Sequence, residues 1–161
     1  LDEAHRTVNC QRPIILACGS HKEAIVTIGR NAKAPSSYNL ENFLIRRIDR
    51  GGGATIHEPG QLVLYPVIDL ASFNLSVKDL VIIFEIAILR FLEEIGLMGN
   101  RSALGPGVFI GHEKIGFIGF RVRDGKTSHG CSINVKNDAK SFSFIDPCGI
   151  KGLRVTSARF H

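Results

Sequence analysis

Apolar positions between Leu80 and Ile95 recur at helical spacing: Leu80, Ile83, Phe84, Ala87, Ile88, Phe91, Leu92 and Ile95 fall on one side. Ser76 precedes the run, Asp79 stands three residues after it as in a capping box, and Gly96 ends the pattern. Val81, Ile82, Ile86 and Leu89 make the other faces apolar too, which predicts a helix packed between a sheet and further elements. Shorter apolar runs read as strands over Ile14 to Ala17, Ala24 to Ile28, Leu62 to Val67, Val108 to Ile110, Ile115 to Val122 and Ser132 to Val135. The segment Leu40 to Ile48 fits a second helix, with a buried strand as the alternative, since a run this short satisfies both. Pro59, Pro66, Pro106 and Pro147 punctuate loops. The expected class is α/β or α+β, a mixed sheet with packed helices.

No repeat or low-complexity linker divides the chain, so residues 1–161 are expected to form a single domain. At 161 residues and 44% apolar content, one sizeable core is available. No charge-free run approaches the roughly 20 residues that cross a bilayer, and Glu85, Arg90, Glu93 and Glu94 interrupt the most apolar stretch. The N-terminus carries no signal-peptide pattern, so a soluble cytoplasmic protein without membrane contact is expected. Cys10, Cys18, Cys131 and Cys148 form no C-x-x-C pair, which disfavours a zinc ribbon or a thioredoxin-like motif and leaves reduced thiols as the default. A net charge of +5 suits acidic partners. No basic run or aromatic-basic pattern points to nucleic acid.

Three segments carry chemistry. In the first, Arg50, Gly51, Gly52, Gly53, Ala54, Thr55, Ile56 and His57 place three glycines between an arginine and a histidine. Such a loop lets backbone approach a ligand while the guanidinium offers a fixed positive fork, though glycine triplets also make ordinary turns. In the second, Lys114 opens an apolar, glycine-spaced strand through Phe117, Ile118 and Gly119. An isolated lysine there is ordinarily solvated, so it matters only through what it sits beside. The third runs from His129, Gly130, Cys131 and Ser132 to Pro147, Cys148 and Gly149. Proline before and glycine after a thiol suit a nucleophile on an exposed turn, with a nearby amide aimed at an oxyanion; the alternative is a small buried core residue.

The three segments, in this order and between Pro13 and Ser157, resemble the lipoyl(octanoyl) transferase family of lipoate biosynthesis. The pattern R-G-G-x-x-T-x-H-x-P-G-Q-L-V-x-Y-P is matched by Arg50 to Pro66, K-I-x-x-I-G by Lys114 to Gly119, H-G-x-x-x-N-V by His129 to Val135, and P-C-G-I by Pro147 to Ile150. The resemblance implies the fold of lipoate ligases and of the biotin protein ligase catalytic domain, with Cys148 as acyl-carrying nucleophile and Lys114 as its activator. It also implies an acyl site lined by Arg50 through His57, Phe117 to Gly119 and Gly130 to Ser132, with Tyr65 and His129 close by. Glu58 replaces a glycine common in the family, and Gly130-Cys131-Ser132 replaces a more apolar tripeptide. Relative to the family the chain is expected to be clipped at both ends, short of a first strand and a closing helix.

A thiol of ordinary pKa, about 8.5, is only a few per cent thiolate at pH 7. An ammonium at about 4 Å is worth roughly 4 kcal/mol to a thiolate at an effective dielectric of about 20, before desolvation is subtracted. One lysine beside the thiol therefore suffices in principle. The expected reaction moves an octanoyl group from acyl carrier protein onto Cys148 and then onto a lysine of lipoyl domains, those of 2-oxoacid dehydrogenase complexes and the glycine cleavage H protein. It needs no ATP, metal or organic cofactor, and a monomer is expected. The competing readings are an ATP-dependent lipoate or biotin ligase, a non-catalytic module holding the same partners, and a metal site of His129, Cys131 and Cys148, whose spacing matches no recognised zinc pattern.

Overall fold

The computed structural model describes residues 12–18, 22–32, 40–41 and 43–161. Strands β1 (Ile14–Cys18), β5 (Gln61–Val67), β6 (Asn100–Arg101), β7 (Gly107–Ile110), β8 (Glu113–Arg123) and β9 (Lys126–Asn134) form a six-stranded antiparallel sheet in the order β1-β5-β9-β8-β7-β6. A smaller sheet, ordered β3-β2-β4, joins β2 (Ile25–Ile28) in parallel to β3 (Leu44–Arg47) and antiparallel to β4 (Ala54–His57).

Helix α1 (Val77–Glu94) begins where the sequence predicts. The Ser76 hydroxyl accepts from the Asp79 amide at 3.1 Å, and Asp79 Oδ2 accepts from the Ser76 amide at 2.9 Å. The Ser76 hydroxyl also donates to Asp79 Oδ2 at 2.6 Å, and this bond, followed by the one from the Ser76 amide, holds the Asp79 carboxyl below its ordinary range. Gly96, at a φ of 80°, ends the helix, and the Leu97 amide reaches back to the Leu92 carbonyl at 2.8 Å. Leu80, Phe84, Ile88 and Leu92 face Val108, Ile115, Phe120, Cys131 and Ile133 of the large sheet. A second core joins Val26, Ile28, Ala54 and Ile56 of the small sheet to Phe117, Phe142 and Ile145. The large sheet thus carries the helix against one core and the small sheet against the other, and β8 contributes to both.

Sequence and structure differ in four places. The Leu40 to Ile48 segment contains no helix among its described residues, and Asn42 lies outside them. Leu44–Arg47 is instead a strand with all four side chains exposed, so it is not the buried alternative either; backbone pairing to β2 supplies what propensity alone could not decide. Ala54–His57 is a fully buried strand rather than loop, and β6 went unpredicted. Strand β9 starts at Lys126, six residues before its apolar half, because polar Thr127 is held inside: its hydroxyl donates to the Pro66 carbonyl at 2.8 Å and accepts from the Ile68 amide at 2.9 Å. Among the described residues no helix is long and apolar enough to cross a membrane.

Candidate active site

Lys114 enters at the start of β8, beside a shift of register against β7 between Val108 and Phe109. Its side chain is only 1% exposed. Nζ donates to the Pro106 carbonyl at 2.7 Å and to Cys148 Sγ at 3.6 Å, and lies 5.2 Å from the Phe109 ring centroid and 5.3 Å from that of Phe117. Two aromatic faces and a carbonyl thus replace part of the hydration a buried ammonium loses. Gly107 makes room for it: a Cβ at this position, whose φ is 134°, would lie 2.7 Å from Lys114 Cε and 2.8 Å from Nζ.

Cys148 is exposed on the short turn Pro147–Gly149 and has a left-handed backbone, φ 58° and ψ 12°. A non-glycine residue held there is strained, a condition that clusters at functional sites. Of the amides after the thiol, expected to be open to an oxyanion, Gly149 donates to the Asp146 carbonyl at 2.9 Å and Ile150 to that of Pro147 at 3.1 Å. They close the turn instead. Gly53 lets the small sheet approach this turn, since a Cβ there would lie 3.1 Å from the Cys148 carbonyl carbon.

Cys148 opens onto a cavity with about 510 Å³ of free space, open solvent at its mouth included. Arg50, Gly51, Gly52, Gly53, Ala54, Thr55, His57, Tyr65, Phe117, Ile118, Gly119, His129, Gly130, Cys131 and Ser132 line it, with Ile48 in addition. Ile56 does not: strand alternation turns it into the core of the small sheet while Thr55 and His57 face the cavity. Ile48 carries no chemical signature, so nothing in the sequence could have marked it. A second cleft reaches Cys148 from another side, past Val77, Val81, Leu104, Pro106 and Ile150, and it is this cleft that Lys114 lines. Gly51, Gly52, Ile118 and Gly119 belong to both.

Arg50 is buried, with Nη2 donating to the Thr27 carbonyl at 2.8 Å and hydroxyl at 3.0 Å, and Nη1 to the Gly51 carbonyl at 3.0 Å. Its Nε and the Thr55 hydroxyl oxygen are buried without a hydrogen-bond partner among the described residues. Burial lowers the Arg50 pKa, against the pull of Cys148 and Tyr65. Burial chiefly raises that of Tyr65, with Cys18 adding to the rise and Arg50 opposing it. Tyr65 meets His129 edge-on, the ring centroids 6.4 Å apart, and His129 has a φ of 58° inside β9. The buried Cys131 thiol is pushed up to about 12 by desolvation. His129, Cys131 and Cys148 border one cavity, but among the described residues no group of three or more metal-ligating side chains is assembled.

Behind the cavity the polar residues are connected. Gln61 Nε2 donates to the Ile56 carbonyl at 3.0 Å and to Asn134 Oδ1 at 2.9 Å, and Asn134 Nδ2 donates to the Thr156 carbonyl at 2.8 Å. Backbone carbonyls accept only, so both amide orientations are fixed. Gln61 Oε1 is then the acceptor, and His57 Nδ1 donates to it at 3.1 Å, which places a proton on Nδ1. Glu58, the departure from the motif, is buried, and its Oε1 accepts from Asn137 Nδ2 at 2.8 Å and the Ala139 amide at 3.2 Å. It holds the loop after β9 and lines neither cleft.

Residues 2–159 match the family model described as the lipoyl protein ligase A/B catalytic domain. The octanoyltransferase of Xanthomonas euvesicatoria is 41% identical over 133 residues, 83% of this chain and 57% of that protein. That of Aromatoleum aromaticum is 47% identical over 130 residues, 81% of this chain and 56% of that one. The chain therefore spans little more than half the length of these relatives. Among solved structures, lipoate-protein ligase A bound with ATP superposes with a TM-score of 0.79 at 20% identity, covering 99% of this chain and 69% of that one. The putative lipoate protein ligase Ta0514 of T. acidophilum with bound lipoic acid gives 0.76 at 20% identity, with the same coverage. At that identity the likeness establishes the fold alone, the one expected from the motifs. With the family model matched almost from end to end, the chain belongs to the lipoyl protein ligase A/B catalytic domain family.

Proposed function

We propose that the protein transfers an octanoyl group from the thioester of acyl carrier protein to a lysine of lipoyl domains, with Cys148 carrying the acyl group between the two. The observation that carries this reading is the exposed Cys148 thiol 3.6 Å from the buried Lys114 ammonium, at the mouth of a cavity. A fixed cation favours the anionic form of a neighbouring thiol, and the anion is the nucleophile. In the first half-reaction Cys148 Sγ attacks the thioester carbonyl, the carbon–sulfur bond to the carrier breaks, and Lys114 passes a proton to the departing thiolate. One thioester replaces another, so this step is near thermoneutral. In the second, a neutral lysine amine attacks the acyl-Cys148 carbonyl, Lys114 takes the amine proton, and the Cys148 thiolate leaves as an amide forms.

The two clefts fit the two substrates. An octanoyl chain would occupy the cavity under the glycine loop, and the second cleft, with apolar walls of Val77, Val81, Leu104 and Ile150, suits the methylene stem of the incoming lysine. Because the Gly149 and Ile150 amides close their own turn, the fixed charge of Arg50 in the cavity wall is best suited to favour the negative charge that develops on the thioester oxygen. This route uses no ATP, metal or organic cofactor. The +5 charge suits acidic carrier and acceptor proteins and would act mainly on encounter in the cytoplasm.

Intact mass after incubation with octanoyl acyl carrier protein, without ATP, tests the reading. The expected result is a hydroxylamine-labile octanoyl adduct that disappears when a lipoyl domain is added and is absent from Cys148→Ser. Transfer that appears only with ATP and free octanoate, and survives Cys148→Ser, would overturn it in favour of a ligase.

A further inference from the structure

We propose that Asn134 is a positioning residue for the Cys148–Lys114 pair, acting through the backbone of residues 154–156; this rests on the reading above in taking the pair as the working centre. The two side chains come from positions 34 residues apart. On one edge of β8, pairing to β9 runs only as far as Gly116 opposite Ile133. Beyond that point Lys114 bridges in parallel to Val155: its amide donates to the Arg154 carbonyl at 2.8 Å, and its carbonyl accepts from the Thr156 amide at 2.9 Å. Residues 154–156 therefore bracket Lys114 on both sides of its peptide, and they are the chain that leaves the Cys148 turn only a few residues earlier.

Asn134 is the last residue of β9, placed where β9 parts from β8, and its Nδ2 donates to the Thr156 carbonyl at 2.8 Å. Its Oδ1 is held by Gln61, its direct cross-strand partner, and Gln61 is anchored in turn on the Ile56 carbonyl. Asn134 is 0% and Gln61 1% exposed, so water cannot replace either bond. The relay thus ties three things to one another: the strand end beside Lys114, the segment returning from Cys148, and His57 in the cavity wall. Removing the Nδ2 donor frees the Thr156 carbonyl, loosens the bracket, and lets the ammonium drift from the thiol without touching either side chain.

The test reads the thiol directly and does not depend on acyl transfer. In the full chain, alkylation of Cys148 by iodoacetamide is followed from about pH 5 to about pH 10 by peptide mass, for wild type, Lys114→Met and Asn134→Asp. Asn134→Asp keeps the acceptor that faces Gln61 and replaces the donor that faces Thr156 with a carboxyl oxygen; because a carboxylate's own charge also raises a neighbouring thiol, the uncharged Asn134→Leu must give the same displacement. The expected result is a profile displaced to higher pH in both variants, with the rate at neutral pH lowered about tenfold in Asn134→Asp, the equivalent of one pH unit. A displaced Lys114→Met profile beside an unchanged Asn134→Asp profile overturns the role of Asn134 alone. An unchanged Lys114→Met profile tells against the pair itself, and so against the proposed function. Should Asn134→Asp not fold, Gln61→Glu, which keeps the acceptor toward His57 and loses the donors that hold Asn134, must give the same displacement. A wild-type profile there, or loss of folding in both, leaves Asn134 a merely structural residue and overturns the inference.

Discussion

Lys114 and Cys148 touch across 3.6 Å, yet the lysine is 1% exposed, bonded to a carbonyl, flanked by two rings and bracketed through its backbone, whereas the cysteine stands exposed on a strained turn. The asymmetry follows from what each must do. A buried ammonium has few alternative positions, so its field at the thiol is constant; were it solvent-exposed, water would screen most of that effect. On the function proposed above the thiol meets two large protein substrates in succession, and burial would shut both out. Strain therefore sits on the exposed member, where a turn can bear it, and desolvation sits on the buried member, where packing and hydrogen bonds offset it.

A second thiol sharpens this contrast. Cys131 borders the same cavity but is 3% exposed and is pushed up to about 12 by burial alone. At pH 8 such a thiol is ionised to about one part in ten thousand. Native-state alkylation should therefore mark the exposed Cys148 and leave the buried Cys131 slower by more than about a hundredfold. The Cys131 rate should climb about tenfold per pH unit from 8 towards 12, because the deprotonated form grows in that window. The same sign makes Cys131 favour the folded state below pH 9 and withdraw that favour as pH rises towards 12. Peptide mass after timed labelling decides it: Cys131 labelled within tenfold of Cys148 at pH 8 would show that the two environments do not differ as described.

Lys114→Met breaks the comparison from the buried side. The side chains are similar in length, so the rings of Phe109 and Phe117 keep a neighbour while the Pro106 carbonyl loses its donor. Octanoyl adduct formation should slow about a hundredfold, the scale of a lost proton-transfer group. Stability in urea should change by no more than about 1 kcal/mol, since a desolvated charge is removed together with its interactions. A loss above about 3 kcal/mol with transfer intact would make Lys114 structural.

How far this was legible in the sequence follows the range of the forces involved. Helix α1 and its capping box are local, so spacing and the Ser76/Asp79 pair defined them. The polar half of β9 and the exposed strand β3 owe their form to partners distant in sequence, Thr127 to Pro66 and Ile68, and Leu44–Arg47 to β2, which no single stretch reveals. At the site the glycine loop, Lys114 and the Pro147-Cys148-Gly149 turn stood out as residue types, and they do converge on adjoining clefts. Strand alternation could have removed Ile56 from the lining had Ala54–His57 been read as a strand. The relay through Gln61 and Asn134 was hidden, because a buried amide looks like any other until its partners are known.

The smallest effect concerns the strain at Cys148. With φ at 58°, an alanine at this position would carry a left-handed penalty of about 1–2 kcal/mol that glycine does not. Glycine loses more backbone freedom on folding, by roughly 0.5–1 kcal/mol, which offsets part of the gain. Cys148→Gly should thus be more stable than Cys148→Ala by up to about 1.5 kcal/mol, though both lack the thiol. The neighbouring Gly149, at a φ of 76°, already accepts the same geometry without a side chain, so the turn itself should not rearrange. Equilibrium unfolding of the two variants measures the difference with side-chain chemistry removed. An alanine variant as stable as the glycine one would mean that the turn relaxes once sulfur is absent, so that contact between thiol and ammonium, rather than the Pro147–Gly149 backbone, holds Cys148 in its left-handed conformation.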